Sequence, residues 1–146
     1  MKIVLQRVKN ASVSVEGKVV GEIGFGVMVL LGITHNDTKE IADSLIKKLL
    51  HLRIFNDEQG KMNLSILDVH GDLLVVSQFT LYANTKRGNR PSYIDAAPPD
   101  HSLPLYAYFI ENLKIQSGLE VQSGIFGAMM DISLVNSGPV TIVLES

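Results

Sequence analysis

Residues 73–76, Leu-Leu-Val-Val, constrain the fold more than any other stretch of the chain. Successive side chains of a strand point to opposite faces, so a strand that meets water on one side alternates apolar and polar residues. Four apolar residues in a row leave neither face for water, and the segment reads as a strand buried on both sides. Without a turn signal the run then changes to Ser77-Gln78-Phe79-Thr80. Taking residues 73–81 as one strand, alternation puts Ser77 and Phe79 on one face and Gln78 and Thr80 on the other. Two hydroxyls and a carboxamide at the end of a core strand are either ordinary polar residues closing it or a small-molecule site on a rigid element.

The other elements arrange themselves around this strand. Residues 3–15 are rich in β-branched side chains, and Glu16-Gly17-Lys18 marks the turn of a hairpin. Val27-Met28-Val29-Leu30-Leu31 is a second buried strand. Gly24 and Gly26 before it complete neither a dinucleotide fingerprint nor a Walker pattern, which favours a turn or a close packing contact. Asp37 and Glu40 have capping-box spacing, with Asp37 as the expected N-cap. Behind them Ile41, Ala42, Leu45, Ile46, Leu49 and Leu50 predict an amphipathic helix. Short strands are expected near Phe55 and over residues 62–67, with a turn at His70-Gly71-Asp72 into the central strand. A long loop, residues 82–99, precedes a second helix that Asp100 is expected to cap, with Pro104 in its first turn and Gly118 at its end. Residues 129–135 and 140–144 read as two strands joined by a turn at Asn136-Ser137-Gly138-Pro139. Strands outnumber helices without regular βαβ alternation. The expected architecture is one compact α/β domain over residues 1–146, a strongly curved, barrel-like sheet of about seven strands with two amphipathic helices packed on it.

Composition narrows the chemistry. The chain has 146 residues, 46% of them apolar, and no cysteine, which excludes a disulfide framework and any thiolate nucleophile or ligand. No apolar run approaches the ~20 residues of a membrane span, and the charged N-terminal segment does not resemble a secretory signal, so a cytoplasmic protein without membrane contact is expected. His35, His51, His70 and His101 are scattered and show no zinc-ligand spacing, and no Gly-x-Ser-x-Gly elbow surrounds a serine. Neither a metal nor a cofactor is expected. At a formal charge of −2 the protein is no general polyanion binder. Lys86, Arg87 and Arg90 in the long loop are either solvated or a local RNA contact. Gly138-Pro139 is either a tight turn or a place where a bare backbone meets a ligand. A cis bond, found in only ~5–6% of X-Pro pairs, would aim its carbonyl where a trans peptide cannot.

Several strings together resemble the D-aminoacyl-tRNA deacylases (the D-tyrosyl-tRNA(Tyr) deacylase family) over the whole chain. They are Val-Leu-Gln-Arg-Val at the start, Gly-Lys-Met-Asn-Leu-Ser (60–65), Ser-Gln-Phe-Thr-Leu (77–81), Arg-Pro-Ser (90–92), Ala-Ala-Pro-Pro (96–99), Phe-Gly-Ala-Met-Met (126–130) and Asn-Ser-Gly-Pro-Val-Thr (136–141). The resemblance implies a chiral-proofreading esterase that frees D-amino acids, and glycine, from the 3′ end of tRNA. It also implies a homodimer in which Gly138 and Pro139 of one subunit enter the site of the other. By position, Ser77, Gln78, Phe79 and Thr80 would form the catalytic pocket, Met129 a further wall, and Arg7 the support of the Gly-Pro element. The resemblance places the chemistry on oriented amides and the tRNA 2′-hydroxyl. Two alternatives are a hydrolase of other small esters with Thr80 as nucleophile, and a homodimeric module that holds RNA ends without turnover.

Overall fold

The computed structural model describes residues 1–146. Its frame is one long strand, β1 (Lys2–Val15), with the hairpin partner β2 (Lys18–Ile23) behind a turn in which Glu16 and Gly17 both take positive φ. β3 (Gly26–Gly32) pairs antiparallel with residues 2–8 of β1, and β2 with residues 11–15, so the two divide one edge between them. The other edge of β1 is covered along nearly its full length by β8 (Asp131–Glu145). β6 (Asp72–Ser77) adds parallel to β3, and β7 (Val121–Ser123) parallel to β6. The six strands curl until β2 lies across β6 and β7. A Cβ built on Gly21 would stand 2.9 Å from the Ser123 carbonyl oxygen and 3.3 Å from Leu74. A separate two-stranded ribbon, β4 (Phe55–Asn56) with β5 (Met62–Leu64), makes eight strands in all.

The apolar run of β6 is buried on both faces, as its sequence requires. Leu73 and Val75 belong to the large core under the helices, beside Phe109 and Leu113, while Leu74 and Val76 belong to a second core with Val8, Val13 and Met28 inside the curl. The helices α1 (Lys39–His51) and α2 (Pro99–Ser117) cover the first core with Leu45, Ile46, Leu49, Leu105 and Phe109. No helix is long and apolar enough to cross a membrane. Gly26 serves close packing, because β3 and β6 start side by side and a Cβ there would fall 1.9 Å from the Asp72 carbonyl oxygen.

Four local expectations are corrected. The N-cap of α1 is Thr38, whose hydroxyl accepts from the Ile41 amide at 3.4 Å. Asp37 is instead buried, taking the Thr34 amide at 2.7 Å and pairing with the Met1 amine. Asp100 lies inside the first turn of α2, which Pro98 precedes and Pro99 opens, so Pro104 falls a turn deeper than expected. Residues 129–135 and 140–144 do not make two strands around a turn, since β8 runs unbroken and carries Gly138-Pro139 as a bulge. Finally, β6 stops at Ser77 and residues 79–82 form a 3-10 turn, so the alternation expected for Ser77 to Thr80 does not occur.

Candidate active site

The strand ends because its neighbour does. β3 finishes at Gly32, and the last main-chain bond across the pair is donated by Gln78 N to Leu31 O at 2.8 Å. With no partner beyond, the chain winds into Phe79–Tyr82, leaving the Phe79 and Thr80 amides as leading donors without partners inside the turn. Parallel strands commonly present ligand sites at their carboxyl ends, and a cleft of ≈ 710 Å³ opens there. Leu31 of β3 and Ile33 just beyond it floor the cleft, with Val76 and Ser77 from β6, and Gln78, Phe79 and Thr80 from the turn. Tyr93, Ala96 and Ala97 of the long loop, Ser102 of α2 and residues 126–130 before β8 complete the wall.

Two contacts stiffen this end of β6. The buried Tyr106 hydroxyl donates to Val75 O at 2.9 Å, and burial pushes its phenol up to about 12 against the opposing pull of the Ser77 backbone amide. Its ring also packs on Phe126, 5.6 Å between centroids. Tyr82, at the far end of the turn, is likewise raised to about 12, first by burial and then by the charges of Asp37 and Glu145.

The polar equipment of the cleft is small. The Gln78 carboxamide Nε2 donates to Thr80 Oγ1, which fixes the hydroxyl as an acceptor from one side and leaves its own proton to point elsewhere. No charged side chain and no histidine is among the lining residues, so nothing in this chain's cleft stands ready to take a proton from Thr80. Phe79 and Tyr93 meet edge to face at 5.2 Å and remain 57% and 40% exposed. Met129 is 92% exposed on the rim, an unusual position for a large apolar side chain with nothing over it.

Of the residues singled out from sequence, Ser77, Gln78, Phe79, Thr80 and Met129 therefore gather at one cleft. Gly138 and Pro139 do not line it. They are exposed on β8, joined by a cis peptide bond, with Gly138 at φ +125°. Arg7 holds the backbone beside them. Its Nε donates to Ser137 O at 3.0 Å, and Nη1 donates to Ile54 O at 2.6 Å and to Asn56 Oδ1 at 3.4 Å. Arg7 is 9% exposed and its guanidinium has no carboxylate partner. Lys86, Arg87 and Arg90 lie exposed on the loop that brings Tyr93 to the rim and take no part in the cleft wall. Residue-by-residue reasoning gave no role to Tyr93, Ser102, Phe126 or Met130, although Ala96-Ala97 and residues 126–130 stood within the strings that carried the resemblance.

Comparison with known proteins places these features in context. A family model described as D-Tyr-tRNA(Tyr) deacylase matches residues 4–145. A D-aminoacyl-tRNA deacylase of Bacillus velezensis is 56% identical over 146 residues, covering 100% of this chain and 99% of that protein. One of Anoxybacillus flavithermus is 53% identical with the same coverage. A solved structure described as c-Myc DNA unwinding element binding protein superposes with a TM-score of 0.94 at 42% identity, covering 100% of this chain and 99% of that one. Another, of a probable eukaryotic D-amino acid tRNA deacylase, gives 0.84 at 21% identity over 98% and 97% of the two chains, and speaks for the fold alone.

Proposed function

The chain belongs to the D-Tyr-tRNA(Tyr) deacylase family, and from that premise we propose how its cleft sorts and cleaves aminoacyl-tRNA. It is a hydrolase acting on the ester bond of D-aminoacyl-tRNA. Our reading is that it works as a homodimer, in which Gly138 and Pro139 of each subunit enter the cleft of the other. The observation that supports this is their placement. The dipeptide is exposed, braced from behind by Arg7, and outside the wall of its own cleft, whose rim residues Phe79 and Met129 are left bare.

In that assembly selection is steric. Enantiomers carry identical groups, so attraction to a side chain cannot sort them generally, whereas a rigid stretch of main chain against the α-carbon leaves room for a substituent on one side only. A cleft without charged walls accepts many side chains, and glycine, which has nothing to exclude, passes as well. Hydrolysis needs little more from the protein. The Phe79 and Thr80 amides, with the Ser77 and Thr80 hydroxyls, would hold the developing oxyanion. The neighbouring 2′-hydroxyl of the terminal adenosine would orient water. Thr80 as covalent nucleophile lacks support, because its oxygen is engaged by Gln78 and no base lines the cleft. Lys86, Arg87 and Arg90 would bind the RNA backbone at the rim. Incubation with D- and L-tyrosyl-tRNA should release the D-amino acid alone, and equal rates on the two would refute the reading.

A further inference from the structure

The ladder between β1 and β8 runs in register from Lys2↔Glu145 to Gln6↔Thr141 and resumes at Val8↔Asn136. Residues 137–140 thus stand opposite Arg7 alone, and main-chain groups on a bulge lose the partners that a regular strand supplies. Side chains replace two of them. Arg7 Nε reaches Ser137 O, and the Val140 amide donates to Asn136 Oδ1 at 3.1 Å. The same Asn136 carboxamide donates through Nδ2 to Thr141 Oγ1 at 2.9 Å, which also receives Gln6 Nε2 at 3.3 Å. One side chain therefore ties the residue that opens the bulge to both residues that close it. Its orientation is fixed by its neighbours, since a reversed amide would set NH₂ against the Val140 N–H.

These bonds are at the surface. Thr141 is exposed, Asn136 is half-buried, and Gly138 and Pro139 have nothing packed over their outer side. Such contacts add little to global stability, but they decide the local path of a segment that packing does not hold. We propose that Asn136, backed by Thr141 and Gln6, is a positioning residue that sets the pitch of Gly138-Pro139 and through it the discrimination between D- and L-aminoacyl esters. The proposal rests on the function given above and adds to it the residues that keep the wall in place. A misplacement of about an ångström can cost on the order of a hundredfold in a positioned reaction.

The test uses full-length Asn136→Ala and Thr141→Val, with Thr141→Ser as the conservative variant that keeps the acceptor. Deacylation of D- and L-tyrosyl-tRNA is measured as kcat and KM, beside hydrogen exchange at the Val140 amide and a thermal melt. The expected result is a fall in the D-to-L ratio of kcat/KM of about 10- to 100-fold in the first two variants. Val140 exchange should rise at least ~10-fold and the melting temperature stay within a few degrees, while Thr141→Ser behaves as wild type. An unchanged ratio in both variants, with a selective wild-type enzyme, overturns the proposal and leaves the function standing. Unchanged Val140 exchange in Asn136→Ala overturns it as well, whatever the activities. A wild-type enzyme that hydrolyses both enantiomers alike, with exchange accelerated in the variants, refutes the function and keeps the brace.

Discussion

Gly138→Ala probes the proposed backbone wall directly. At φ +125° an L-residue is strained by about 1–3 kcal/mol. The new Cβ would lie 2.8 Å from Arg7 Nη2 and 3.0 Å from Val140 Cγ2. The guanidinium cannot swing aside freely, because its other nitrogens are bonded to Ser137 O and Ile54 O, and losing one charged hydrogen bond costs about 1.5–3 kcal/mol. Relaxation of an exposed bulge removes part of this sum, leaving about 2–4 kcal/mol against the native path of residues 137–140. At 1.4 kcal/mol per decade that is roughly a 30- to 1,000-fold loss of the arrangement the wall requires. Global stability should suffer far less, since the ladder from Lys2 to Gln6 is untouched. The measurement is D-tyrosyl-tRNA deacylation and L-tyrosyl-tRNA rejection beside urea denaturation. Gly118→Ala serves as control, because it sits at φ +65° with nothing within 4 Å of its Cβ and should reduce stability without changing turnover. If Gly138→Ala matches wild type in both rate and selectivity, the backbone wall is not where enantiomers are sorted.

Thr80→Ala should slow deacylation by up to roughly the 100- to 1,000-fold of a lost oxyanion donor yet stay above the enzyme-free rate. An acyl adduct on Thr80 in the rapidly quenched wild-type enzyme would contradict that. Replacing Lys86, Arg87 and Arg90 by Gln should weaken tRNA binding and reduce the slope of log K against log salt by up to about 2, and an unchanged slope would make the loop a solvated one. Tyr106, at about 12 in the fold, keeps its proton between pH 10 and 12 while the unfolded chain loses it, so stability is full below pH 10 and falls as pH rises through 12. The loss is about 2–3 kcal/mol, and Tyr106→Phe should flatten this part of the pH profile in a denaturant titration. At the acid end, Asp57 is held low by Asn63 and Asp68 by Ser65. Their contributions are present at neutral pH and should disappear as pH falls below about 4, read from the same titration.

What could be read from the chain depended on how local the cause was. Four consecutive apolar residues demand two buried faces wherever they lie, so β6 was legible, as was the stripe from Ile41 to Leu50 of α1. The end of β6 was not legible, because it is decided by where β3 runs out, a fact about another strand. Asn-Ser-Gly-Pro has the letters of a turn. Only the length of β1 on the far side of the ladder makes it a bulge in one continuous strand. Asp37 and Thr38 are both good caps, and the choice between them follows from what buries Asp37, 36 residues away at Met1.

The cleft follows the same rule at a larger scale. Its wall draws on Leu31, Val76, Tyr93, Ser102, Phe126 and Met130, which share no spacing, so no periodicity could have assembled them. Ser77-Gln78-Phe79-Thr80 stood out because polar residues directly after a core strand break a pattern. Gly138-Pro139 is harder still, since it is exposed and outside the cleft. The proposed dimer is what would give such a segment a role. The hydrogen bonds spent on keeping it in place, from Arg7 on one side and Asn136 on the other, are difficult to account for on a surface turn with nothing to do. In the proposed mechanism, catalysis asks for donors that a strand end supplies by default, whereas enantiomer selection asks for a surface that does not yield. The bracing around residues 137–140 is what that proposal assigns to the second demand.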